Sequence, residues 1–111
     1  MPQSGIDRRA EPRKAARLAI TVAVAGRSVL AYSQNVSGSG VFLECLEPIE
    51  HGATLQLRFS VPTDPEPIAV DAEVRWVSKD ADGSLLGVGV RIGMMRPREM
   101  RAWARYLRTL K

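Results

Sequence analysis

Two groups of residues in this 111-residue chain have types and spacing that suit a flat, anionic ligand. The first is Arg8, Arg9 and Arg13, with Arg9 and Arg13 in the form Arg-x-x-x-Arg. Guanidinium groups are permanently charged planar forks. They pair two N–H groups with phosphate oxygens, or with O6 and N7 of a guanine, and they stack on base faces. Several on one arm could close over a nucleotide. The second group is Asn35-Val36-Ser37-Gly38-Ser39-Gly40, a polar turn between two apolar runs. Asn35 and Ser37 offer a side-chain acceptor and a hydroxyl. The glycines free the backbone for φ > 0 and let a flat ligand approach it. Each group also has a plain reading, a solvated tail for the first and a hairpin connection for the second.

The other chemistry-bearing residues do not assemble. One histidine, His51, and one cysteine, Cys45, make neither a zinc site nor a Cys–His dyad. Asp71 and Glu73 stand two apart on the solvent side of a strand, which reads as solubility rather than acid–base work. The expectation is therefore no enzyme, no metal and no cofactor. A single cysteine excludes an internal disulfide and fits a reducing cytoplasm. No apolar run approaches the roughly 20 residues a membrane span needs, and Met1 to Ala10 lacks the apolar core of a signal peptide.

Charge is unevenly placed. Residues 1–17 and 91–111 hold twelve of the sixteen Lys and Arg against three acids, a net +9. Residues 18–90 hold four against nine, a net −5. Basic ends around an acidic middle suit an anionic partner held by the termini.

The elements that must position these groups follow from periodicity. Residues 1–17 are polar and basic, with Pro12 against a helix, and read as a flexible basic arm. Leu18–Ala25 and Ser28–Gln34 alternate as two strands of a hairpin about Gly26-Arg27. Val41–Cys45 is a short third strand. Thr54–Val61 and Ile68–Val77 alternate clearly, and the second puts Val70, Ala72, Val74 and Trp76 on one side. On that pattern Trp76 belongs to the core. Leu85–Ile92 is the last strand, with Gly87 and Gly89 in its interior, where glycine marks a bulge, a bend or a close approach. From Pro97 the period changes: Met100, Trp103, Leu107 and Leu110 form the apolar stripe of a helix, and Arg98, Arg101, Arg105 and Arg108 a basic one. The sum is one mainly-β domain: a six-stranded antiparallel β-barrel over 18–111 with a C-terminal helix, preceded by the arm 1–17.

Taken together and in this order, Arg9-x-x-x-Arg13 and Asn35-x-Ser37-x-x-Gly40 resemble the PilZ domain family. Val70-Asp71-Ala72-Glu73-Val74-Arg75-Trp76-Val77 resembles the family's long strand ending in Arg-Trp, and Leu86–Ile92 its glycine-containing last strand. The resemblance covers about Arg8 to Leu110. It implies a six-stranded barrel that binds cyclic di-GMP, a bacterial second messenger. Arg8, Arg9 and Arg13 would form the clamp, Asn35, Ser37 and Gly40 the guanine cradle, and Trp76 a further base contact. Asn35 stands where the family more often has Asp, which lowers the expected affinity. The expected mechanism is ordering of the arm on ligand, read by a separate effector protein in the cytoplasm. The rival readings are a small basic barrel that binds nucleic acid through the arm and the arginine stripe, and a ligand-free adaptor working through protein contacts.

Overall fold

In the computed structural model, which describes residues 13–45 and 47–111, every run with period-two alternation is a strand. The strands are β1 (Lys14–Ala15), β2 (Ala19–Val24), β3 (Arg27–Val36), β4 (Gly40–Glu44), β5 (Thr54–Phe59), β6 (Ile68–Lys79) and β7 (Leu85–Ile92), followed by one helix, α1 (Pro97–Arg108). Six antiparallel strands run in the order β3-β2-β5-β6-β7-β4, and pairing of β4 with β3 closes the barrel. Closure pairs both edges of each of these six strands. The side chains that alternation assigns to the inside fill it: Ile20, Val22, Leu43, Leu55, Leu57, Ile68, Val74 and Val88 are at most 1% exposed.

The seventh strand, β1, lies outside the closed barrel and within the segment read as the arm. It continues the β2 side of β3, pairing Lys14 with Val36 and Ala15 with Asn35. Between β1 and β2 the buried Ser33 bridges the gap. Its hydroxyl donates to the Ala16 carbonyl at 2.6 Å and accepts from the Leu18 N–H at 2.8 Å. Arg13 to Arg17 is thereby laid along the wall that carries Asn35. Arg8 and Arg9 fall outside the described residues.

Two irregularities change which side chains face out. In β3 the register shifts between Ser33 and Asn35. Val29, Ala31 and Ser33 point inward, and without the shift Asn35 would follow them. Gln34 is the extra residue, so Asn35 turns outward and Val36 takes the inner position. In β6 the register shifts between Val74 and Trp76 around Arg75. The core position expected of Trp76 is corrected by this bulge: Trp76 is 40% exposed on the outer wall, and Val77 packs inward in its stead.

The helix lies over one end of the barrel, rotated from the expected face. Glu99, Ala102, Trp103 and Tyr106 are buried, whereas Met100 is exposed. Periodicity alone counts an acid as outward. Here the Glu99 carboxylate goes inward because it accepts from the Ala69 N–H at 3.1 Å and from the Arg96 Nε at 3.2 Å. Trp103 meets Phe59 edge to face at 5.5 Å and Tyr106 at 5.8 Å. Of the expected basic stripe, Arg101, Arg105 and Arg108 are exposed. Arg98 is tied down, donating to the Pro67 carbonyl at 2.8 Å and facing Asp64 at 3.7 Å. No helix among the described residues is long and apolar enough to cross a membrane.

Candidate functional site

The two bulges place Asn35 and Trp76 in one row across the outer wall. The register aligns Ala15, Asn35, Phe42, Gly89 and Trp76 on neighbouring strands β1, β3, β4, β7 and β6. The Asn35 and Trp76 backbones are three strand spacings apart, about 14 Å. The indole closes much of that gap by lying across Gly89, where any Cβ would overlap its ring. Gly87 does the same for its neighbour. A Cβ there would lie 2.8 Å from the Phe42 ring and would also meet the Leu43 carbonyl. The interior glycines of β7 are therefore seats for two aromatic rings, and neither adopts a left-handed φ. The close approach expected of them is by a side chain at Gly89, and by both the Leu43 carbonyl and the Phe42 ring at Gly87.

Arg13 completes the row. Its Nη1 donates to Asn35 Oδ1 at 3.0 Å, and its Cζ stands 5.2 Å from the centre of the Trp76 ring. That distance is within the range of a cation–π contact. One residue of the arginine motif, one of the turn motif and the tryptophan of the long strand thus meet, although the sequence spreads them over 63 positions.

The turn itself is held from within and from behind. The Ser37 hydroxyl accepts from the Gly40 N–H at 3.1 Å, and the Ser37 N–H donates to the Gly40 carbonyl at 2.9 Å. Trp103 Nε1 donates to the Ser37 carbonyl at 3.2 Å, so the helix fixes the turn's inner side. The Ile92 N–H donates to the Ser39 carbonyl at 2.7 Å. Space beside Gly40 is tight: a Cβ would lie 3.1 Å from the Val90 carbonyl oxygen. Ser37 is 7% exposed, against a half-buried Asn35 whose amide reaches the surface.

Next to Arg13, Lys14 turns the other way. Its Nζ donates to the Leu107 carbonyl at 3.4 Å and the Leu110 carbonyl at 3.3 Å. These carbonyls lie at and just past the C-terminal end of the helix, where a cation also suits the helix dipole. Among the described residues no group of three or more His, Cys, Asp or Glu could hold a metal ion. The buried Cys45 thiol has its pKa pushed up by burial, with the nearby Glu47 charge adding to the effect.

Phe42, Gly87 and Gly89 were not among the residues expected at the site. Their signal was present in part, since two glycines inside a strand ask what comes close to them. The ring that does so was hidden by the bulge at Arg75.

Fold and geometry together define a class: a small closed β-barrel, a helix over one end, and a cationic and aromatic row on the outer wall. The chain belongs to the PilZ domain family, whose model, described as PilZ domain, matches residues 7–109. Three solved structures share the fold. The Bacillus subtilis inhibitor of motility MotI/DgrA has a TM-score of 0.78 and 20% identity, covering 98% of this chain and 56% of that one. This chain therefore spans little more than half the length of that protein. The PilZ domain with c-di-GMP of YcgR from Escherichia coli has a TM-score of 0.69 and 18% identity, covering 93% and 91%. The PilZ domain of CeSA from a cellulose-synthesizing bacterium has a TM-score of 0.63 and 15% identity, covering 85% and 92%. No curated protein matches the sequence.

Proposed function

We propose that this domain is a receptor for cyclic di-GMP and not an enzyme, and that one guanine of the ligand is held on the Arg13, Asn35 and Trp76 row. The observation that carries this reading is that Arg13 touches both Asn35 and Trp76. An amide that can bond a base edge, an indole that can stack on its face and a cation for phosphate stand together. A solved relative of the same fold, the YcgR domain, is described with c-di-GMP.

Arg8 and Arg9 precede Arg13 by five and four positions and would close over the phosphates. Ordering of the arm then carries the signal. The neighbour of Arg13, Lys14, holds the C-terminal end of α1, so a ligand that moves Arg13 acts one residue from the helix latch. A separate effector protein that reads the arm or the helix end is the simplest output.

Titration calorimetry with cyclic di-GMP tests the reading. Arg13→Ala should weaken binding by roughly 1.5–3 kcal/mol, the worth of one charge-assisted contact. Amide signals of residues 5–14 should shift on ligand addition. Absence of binding by folded wild-type protein would refute the reading.

A further inference from the structure

Beside the row, the same wall carries a second set of groups that the site above does not use. An open groove of about 830 Å³ runs from Phe42 and Gln34 past Tyr32 and Glu44 to Leu86. Its apolar members stand in water, with Leu30 59%, Leu86 51% and Tyr32 37% exposed. Glu44 is part of its lining. It is two residues from Phe42 on β4, hence about 7 Å along the same outer face, and it pairs across the strands with Tyr32.

The Glu44 carboxylate receives one N–H on each oxygen. Gln34 Nε2 donates to Oε2 at 2.7 Å, and Arg17 Nη1 donates to Oε1 at 3.2 Å. Arg17 also lies over the Tyr32 ring at 4.5 Å. Two N–H donors, one on each oxygen of a carboxylate beside an aromatic face covered by a planar cation, match what a guanine can offer. Its N1–H and N2–H₂ would take the two carboxylate oxygens, and its ring would take the place of the guanidinium on Tyr32. The displaced Arg17 and Gln34 could then donate to O6, N7 or a phosphate. The hydrogen bond from Gln34, followed by that from Arg17, lowers the pKa of Glu44, so it is ionised and acceptor-only at neutral pH.

We infer that Tyr32, Glu44, Gln34 and Arg17 form a second guanine subsite, with Glu44 as the residue that reads the base. The inference rests on the proposed binding of cyclic di-GMP. It adds the source of selectivity that an uncharged Asn35 lacks, because a carboxylate accepts both guanine donors and an amide oxygen beside an NH₂ does not.

The test compares cyclic di-GMP with its di-inosine analogue, which lacks both N2 amines, in titrations of wild type and Glu44→Gln. The side chain of Glu44 is 36% exposed, and circular dichroism checks that the variant folds. Wild type should prefer cyclic di-GMP, and Glu44→Gln should shrink that preference about tenfold, the effect of one hydrogen bond to a charged group. Tyr32→Ala should weaken both ligands without changing their ratio. One ligand per chain would assign both bases to one molecule, and two would assign the second base to a stacked neighbour; either supports the subsite if the preference shrinks. A preference ratio unchanged by Glu44→Gln, with wild type still binding, overturns the subsite and leaves the Arg13 site standing. Failure of wild type to bind cyclic di-GMP overturns both.

Discussion

Gly89→Ala is the substitution that separates the seat of Trp76 from its ring. Gly89 has no left-handed φ, so alanine meets no backbone objection. The added methyl instead overlaps the indole, and Trp76, already 40% exposed, must leave. A fully buried aromatic side chain covers about 150–250 Å². With about three-fifths of it covered here, the packing is worth at most about 2–4 kcal/mol at 25 cal/mol per Å². Gly89 supplies only part of that cover, so stability should fall by about 1–2 kcal/mol. Binding of cyclic di-GMP should weaken by a further 1–3 kcal/mol, roughly the worth of one aromatic–base stack. Tryptophan emission should shift to the red, while Trp103, 3% exposed, provides a constant background. The control is the same change in a Trp76→Ala background, where it should do little. Wild-type affinity and emission in Gly89→Ala would refute the argument. An effect undiminished without Trp76 would also refute it, by tracing the loss to the strand.

Asn35→Asp should turn the bond from Arg13 into an ion pair and give a guanine a carboxylate to bond. Affinity for cyclic di-GMP should rise about tenfold by calorimetry. Glu99 supplies a pH dependence of stability. Its pKa is lowered by the hydrogen bond from Arg96, then by that from the Ala69 N–H. A carboxylate with a lowered folded-state pKa contributes its stability above the unfolded value and loses it as pH falls through the folded value. Glu99→Gln should therefore cost about 2 kcal/mol at pH 7, and the gap to wild type should narrow in acid, followed by thermal melts. A gap that is constant from pH 7 to pH 3 would show that the charge plays no part.

What was legible in the sequence was the barrel. Six runs keep period two because one face of each is dry, and Leu55, Leu57 and Phe59 show it without interruption. What was not legible was each point where one residue too many enters a strand. Through Val70, Ala72, Val74 and Trp76 the apolar alternation is perfect, and it gives the wrong side for Trp76. The clue lay one residue further on, where Val77 restarts the inner face with opposite parity. The same holds in β3, where Val29 and Ala31 are followed inward by Val36 and not by Asn35. A bulge is set by pairing with the partner strand, and a single strand's pattern does not contain it. The helix failed differently. Its period was right, but Glu99 and Met100 exchange places because a buried acid with two donors outcompetes an apolar side chain that has none.

In the turn that resembles a ligand cradle, Ser37 is itself held on several sides. The Ser37 hydroxyl accepts from Gly40, its carbonyl accepts from Trp103, and the residue is nearly closed to water. Gly40 is fixed by the space beside the Val90 carbonyl. Both residues set the shape of the turn. They hold the end of β3 so that the bulge at Gln34 delivers Asn35 to the surface at one height and angle. On the proposed reading, recognition falls to side chains that the wall leaves outward: Arg13, Asn35 and Trp76, and on the second subsite Glu44. This division explains why an asparagine can stand in the cradle. The charge missing at Asn35 is available two residues along the facing strand from its partner Phe42, at Glu44.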